Sequence, residues 1–148
     1  MDKVRYLINE AKKNLRTADH LVYMTYPLIK DPKLITSITE NLHRSLIYTI
    51  EAIVRYDQLF RKIPVTTNMS IKLEQFRKSC VPRHKINKDI ITIIDLLSKS
   101  KKETDIRESL VRRDFYSKSK NLSYEQLKKM DNTAKEFLLQ IQNIITRW

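Results

Sequence analysis

The sequence predicts an all-α fold: an antiparallel four-helix bundle with one or two short additional helices, formed as a single domain over residues 1–148. Three observations carry this expectation. Apolar residues recur at steps of three and four along most of the chain. Glycine is absent, so the tight hairpin turns that need positive φ lack their usual residue, which argues against a large antiparallel sheet. The periodic segments are joined by short polar stretches, and short joints favour antiparallel neighbours.

The first helix follows from the stripe Val4, Leu7, Ile8, Ala11, Leu15, Ala18 and Val22, and is expected to end before Tyr26-Pro27. Asp31-Pro32 starts the second, with Asp as N-cap and Pro in the first turn, where its missing N–H is harmless. Its stripe of Ile35, Ile38, Leu42, Ser45, Thr49, Ile53, Tyr56 and Phe60 gains a second apolar row of Leu46, Ile47, Ile50 and Val54. A helix apolar on two faces packs on more than one side, which makes this the central member. IPVTTN at 63–68 is a break. Met69, Leu73, Phe76 and Cys80 mark a short helix closed by Val81-Pro82, because the residue before proline avoids the helical region. Ile86, Ile90, Ile93, Ile94 and Leu97 form a third long helix that dissolves in the polar run SKSKKET. Asp105 and Glu108 have capping-box spacing and open a segment with Ile106 and Leu110. After a joint at Asn121-Leu122, a second box of Ser123 and Gln126 starts the last helix, whose stripe runs from Leu127 through Phe137 to Trp148.

Composition narrows the function classes. Without glycine there is no phosphate cradle, dinucleotide fingerprint or nucleophile elbow. Cys80 is the only cysteine, which excludes an internal disulfide and a cysteine-based zinc cluster. The N-terminal MDKVRYLINEAKKNL is charged and amphipathic, unlike a secretory signal. No apolar run approaches the roughly 20 residues of a membrane helix. A cytoplasmic protein with no membrane association is the expectation, and no cofactor or metal is implied. The net charge of +12 is concentrated, with +2 in residues 1–60, +9 in 61–120 and +1 in 121–148. Such a stripe points to RNA or another polyanion as partner; the plainer alternative is a solvated basic helix face.

The two opening helices, reading NEAKKNLRTADHLV and NLHRSLIYTIEAIVRY, and the closing helix, YEQLKKMDNTAKEFLLQIQNII, resemble those of HEPN domains. The stretch VRRDFYSKSK at 111–120 falls where that family keeps an Arg followed four to six residues later by His. The resemblance implies an RNA-associated helical bundle of toxin–antitoxin or defence type, usually a homodimer, and in active members metal-independent RNA cleavage by the Arg and the His. The chemistry suits those residues: a group titrating near neutrality moves the proton and Arg stabilises the phosphorane. Here the motif is degenerate. Arg113 fills one role, but Lys118, Ser119 and Lys120 stand where His would be. Binding without cutting is therefore the expected outcome.

The binding candidates are Arg112, Arg113, Tyr116, Lys118 and Lys120, together with Arg77, Lys78, Arg83 and Lys85 from the basic stretch RKSCVPRHK. An Arg fork, a Tyr ring and flanking lysines are what a single strand's phosphates and bases require. Arg113 and Lys118 are the candidates for any residual catalysis. Arg113 has a structural alternative, packing on Leu110 and pairing with a neighbouring carboxylate. Glu40 and His43 match the spacing of di-iron bundles but lack a second copy, and read better as polar groups on a helix face. Asp19 and His20 diverge by about 100° on a helix and do not form an acid–base pair. Cys80 ends an apolar stripe and is expected in the core. Two other functions stay open: a metal-independent endoribonuclease using Arg113 with a substitute acid or base, and a helical subunit that binds a partner protein within a nucleoprotein assembly.

Overall fold

Helices make up every regular element among the described residues of the computed structural model, which covers residues 1–60, 63–110 and 122–146, with 101–110 as backbone only. The order is α1 (Asp2–His20), a π-helical turn (Leu21–Thr25), α2 (Tyr26–Ile29), α3 (Lys33–Phe60), α4 (Met69–Gln75), a second π-helical turn (Phe76–Cys80), α5 (Val81–His84), α6 (Asp89–Leu110) and α7 (Tyr124–Thr146). Each π turn joins its neighbours without a break, so α1–α2 and α4–α5 are two continuous rods.

The two prolines expected to end helices are instead absorbed by those π turns. Pro27 and Pro82 sit in the first turn of α2 and α5. A proline inside a helix lacks an N–H and crowds the carbonyl four residues back; one wide turn relieves both problems. Its cost is an orphaned carbonyl. Tyr26 N–H bonds to the Leu21 carbonyl, five residues back, and the next residue, Pro27, has no N–H to offer Val22. The Tyr124 hydroxyl of α7 donates to that Val22 carbonyl at 2.5 Å. Its ring stacks on Tyr26 with centroids 4.5 Å apart, so the proline defect becomes a docking point for α7.

Both rods end in a left-handed residue, and without glycine that residue is lysine: Lys30 at φ 52° and Lys85 at φ 54°. At the second, Ile86 N–H closes back on the Val81 carbonyl at 3.0 Å, and both residues are buried, as in a Schellman-type stop. Gln140 of α7 donates its side-chain amide to the His84 carbonyl at 3.1 Å and the Lys85 carbonyl at 3.4 Å. These bonds serve carbonyls that a helix end leaves unpaired.

The other boundaries use side-chain caps. Asn68 accepts from Ser70 N–H at 2.9 Å and Ile71 N–H at 3.3 Å at the start of α4. Asp31 Oδ1 accepts from Lys33 N–H at 2.9 Å beneath α3. The Ser123–Gln126 box forms as the spacing predicts, with bonds of 2.9 and 3.2 Å. The Asp105–Glu108 pair opens nothing: the α6 backbone stays helical through SKSKKET to Leu110. Lys and Glu are good helix formers, and a polar run of them need not break a helix already anchored by Ile90 to Leu97.

α3 packs against α1, α4, α6, α7 and the second π turn, which places the predicted central helix at the centre. Its contact with α1 is the most extensive and uses small residues. Ala11 and Ser45 are buried face to face, and Ser45 Oγ donates to the Ala11 carbonyl at 2.9 Å. One core runs through Leu7, Leu42, Ile50, Phe76, Leu97, Leu127 and Ile141. No described helix is long and apolar enough to cross a membrane.

The left-handed lysines yield a test. A non-glycine residue at positive φ costs about 1–2 kcal/mol, part of which the greater unfolded-state freedom of glycine cancels. Lys30→Gly is expected to stabilise the protein by about 0.5–1 kcal/mol in urea denaturation, and Lys30→Val, β-branched at the same φ, to destabilise it by at least as much.

Candidate functional site

The predicted basic surface is carried by the rod from α4 to α5, which holds Lys72, Arg77, Lys78 and Arg83 and ends at Lys85. Arg77, Lys78, Arg83 and Lys85 are all exposed, but they are not equally available. Arg77 is ion-paired with Glu74, and Lys78 reaches the other oxygen of the same carboxylate at 3.3 Å. Together the two cations hold the Glu74 carboxyl below its usual range through hydrogen bonds and charge. Lys85 has no ion-pair partner among the described residues and stands out from the helix stop. Arg112, Arg113, Tyr116, Lys118 and Lys120 lie outside the described residues.

Arg83 belongs to a cluster that residue spacing does not reveal. Asp57, on α3, is fully buried. Its carboxylate accepts from His84 Nε2 at 3.0 and 3.1 Å and from Cys80 Sγ at 3.1 Å, and Arg83 approaches to 3.5 Å. A carboxylate is acceptor-only when ionised, so Nε2 carries the imidazole proton. Cys80 is core, as expected, and also a donor. Burial and the neighbouring Asp57 push its thiol far above the ordinary range, which rules it out as a thiolate nucleophile at neutral pH.

The three side-chain types of a thiol hydrolase are present here in an unproductive arrangement. Cys80 and His84 both bind the acid and not each other, and the His84 side chain is only 7% exposed. The cluster fastens the α4–α5 rod to α3. Asp57 escaped the sequence reading because it lies in an apolar run, IVRYDQLF; the available signal was an acidic residue next to Tyr56 on the stripe.

A cleft of about 360 Å³ opens between the N-terminus of α1, the C-terminal half of α3, the connection 63–68 and α4. The buried Leu7 and Val54 and the exposed Val65 line it, and Lys3, Arg55 and Lys72 bring positive charge. Lys72 is committed to Glu51 at 3.4 Å. Lys3 lies over the Tyr6 ring at 5.3 Å, and neither it nor the half-buried Arg55 has an ion-pair partner among the described residues. None of these cations was singled out by sequence, because they come from three separate segments.

A second buried carboxylate joins α1 to α7. Asp131 is fully buried, with neither oxygen hydrogen-bonded to a conventional donor. It faces Asp19, while Lys135 pairs with Asp19 and lies 3.5 Å from Asp131. Tyr23 covers the Lys135 ammonium at 4.8 Å and bonds to Asn132 at 3.0 Å. Burial, then the Asp19 carboxylate, pushes Asp131 up to about 7. For Asp19 burial acts upward, but Asp131 and Lys135 outweigh it and hold the group below its usual value. The pair therefore shares one proton, with Asp131 as its holder. Asp19 turns to α7, where it pairs with Lys135, and His20 is exposed. Glu40 pairs with Arg44 at 3.8 Å and His43 bonds to Ser98 Oγ at 3.0 Å, so neither is directed to a shared centre. Among the described residues no group of three or more His, Cys, Asp or Glu is placed to hold a metal.

Comparison of the chain with protein-family models, with curated proteins and with solved structures finds no match in any of the three.

The proton on Asp131 gives a pH dependence with a definite sign. A raised folded-state pKa means the folded protein keeps a proton that the unfolded chain has lost, so this contribution is complete below about pH 4 and drains away up to about pH 7. Asp19, held low, acts in the opposite sense only as the pH falls below about 4. Between pH 5 and 8, wild type is expected to lose roughly 2 kcal/mol relative to Asp131→Asn. Urea denaturation of both proteins at several pH values checks this; parallel profiles would contradict it.

Proposed function

We propose that the protein is a HEPN-like RNA-binding bundle that grips single-stranded RNA without cutting it. In this reading α1, α3, α6 and α7 form the antiparallel four-helix bundle, with the α4–α5 rod as an added limb. The contacts of α3 with α1, α6 and α7, and of α7 with α1 and α6, are compatible with that arrangement.

The observation that carries the binding proposal is the charge of the limb. Residues 69–88 hold six Lys and Arg against a single carboxylate, Glu74. Arg77, Lys78, Arg83 and Lys85 are exposed on a rod held to α3 by a buried carboxylate, and Lys88 is exposed just beyond its end. Such a surface attracts a phosphate backbone without reading its sequence. The motif segment with Arg112, Arg113, Tyr116, Lys118 and Lys120 extends the same charge in sequence, and the HEPN resemblance implies a homodimer and a partner protein.

Cleavage is not part of the proposal. The motif has no His, and His84 is turned inward onto Asp57, unable to serve as a general base at the surface. A defence or toxin–antitoxin setting follows from the HEPN resemblance.

Mobility shifts on single-stranded RNA across a salt series test the reading. Each phosphate contact contributes about 0.7 to the log–log salt slope on a single strand. The triple variant Arg77→Gln, Lys78→Gln, Lys85→Gln is expected to flatten the slope by about 2 and leave the RNA intact, as wild type does. No shift at low salt, or a slope unchanged by the triple variant, would contradict the proposal.

A further inference from the structure

We propose that the tip of the first rod docks on an anionic lipid surface, with Met24, Leu28 and Ile29 among the acyl chains and Lys30 and Lys33 on the headgroups. The proposal stands apart from RNA binding by the α4–α5 limb and rests on residues the limb does not contain.

The aliphatic side chains at the tip do not serve the core. Leu28 is 84% exposed, Ile29 63% and Met24 57%. Single exposed aliphatics are ordinary, but three within six residues, one turn apart at the end of a rod, form a patch. The second rod supplies an internal comparison. Counted from their prolines, Leu28, Ile29 and Lys30 correspond to Arg83, His84 and Lys85. Arg83 and His84 reach the buried Asp57 of α3, and Ile86 folds back onto Val81 to close that stop. The first rod has the same π turn, proline and left-handed lysine, yet its last two residues stay open to solvent. The residue after Lys30 is Asp31, in place of an apolar one that would fold back.

Charge selects the occupant. Lys30 and Lys33 are exposed and have no ion-pair partner among the described residues. Asp31, the one carboxylate between them, accepts from Lys33 N–H at 2.9 Å beneath α3. A second copy of the chain would bring lysines against lysines, which is unfavourable. RNA would satisfy the lysines and leave the aliphatic side chains in water. An anionic bilayer satisfies both: acyl chains take Leu28, Ile29 and Met24, and headgroups take the ammonium groups, whose stems lie along the apolar layer. An apolar tip and a basic rim are two signals of different kinds, the combination that holds a protein on a membrane surface. No described helix can span a bilayer, and a docked tip needs none.

The test is flotation of the full chain with vesicles of phosphatidylcholine alone and of phosphatidylcholine mixed with phosphatidylglycerol. Wild type is expected to float with the mixed vesicles and not with the neutral ones. The limb's cations also attract anionic vesicles, so the deciding variants leave the charge unchanged. Leu28→Ser and Ile29→Ser are each expected to weaken binding about tenfold, the loss of one buried aliphatic side chain. The same loss is expected in the background of the triple variant Arg77→Gln, Lys78→Gln, Lys85→Gln. Both side chains are exposed, so neither serine disturbs the core, and circular dichroism checks this. Flotation unaffected by either serine, or equal flotation with neutral vesicles, would overturn the proposal. So would a wild-type dimer in sedimentation equilibrium that Leu28→Ser dissociates, because the tip would then belong to a second copy. RNA mobility shifts are expected to be unchanged in both serine variants; their loss would assign the tip to RNA and not to lipid.

Discussion

A single buried carboxylate organises the half of the molecule that carries its charge. Asp57 sits on the central helix with no exposure to solvent. Taking a carboxylate out of water costs several kcal/mol unless donors replace the lost hydration. The replacements all come from one place: Cys80 from the second π turn, Arg83 and His84 from α5. These donors cannot reach Asp57 unless the α4–α5 rod lies against α3. The orientation of that rod then follows, and with it the exposure of Arg77, Lys78 and Lys85 and the position of Lys72 at the cleft. The basic surface is thus held in place by an acid beneath it.

The same region shows how helices are stopped and bent in a chain without glycine. Each rod meets a proline, widens by one π turn, and ends at a lysine in the left-handed region. The two segments, LVYMT-YPLI-K and FRKSC-VPRH-K, share this design though few residues match. Their partners differ. The first is closed by Tyr124 bonding to the Val22 carbonyl, the second by Gln140 bonding to the His84 and Lys85 carbonyls. Both partners lie on α7, so the last helix ties down both breaks.

Periodicity made most of the fold legible. The stripes from Val4 to Val22 and from Ile35 to Phe60 define α1 and α3, and the Ser123–Gln126 box marks the start of α7. The prolines and the SKSKKET run misled because their usual effects are local, whereas their accommodation is tertiary: the carbonyl freed at the first π turn takes a donor from α7, and a polar helical stretch needs an anchored start. The site was legible in part. Arg77, Lys78, Arg83 and Lys85 are visible as a basic run, but nothing in the run reveals that Arg83 faces an acid 26 residues earlier. The cleft was illegible because Lys3, Arg55 and Lys72 come from three segments that only the fold brings together.

The anchoring role of Asp57 is tested most directly by the reactivity of Cys80. The chain has one cysteine, fully buried beneath the rod, so the rate at which a thiol reagent labels the native protein reports how often the rod opens. Asp57→Asn keeps the shape and removes the charge. Losing one partner of a buried pair costs about 3–5 kcal/mol, so labelling should accelerate by at least about a hundredfold while α1 and α7 retain their helical signal. If Asp57→Asn labels at the wild-type rate, the carboxylate does not hold the rod against α3.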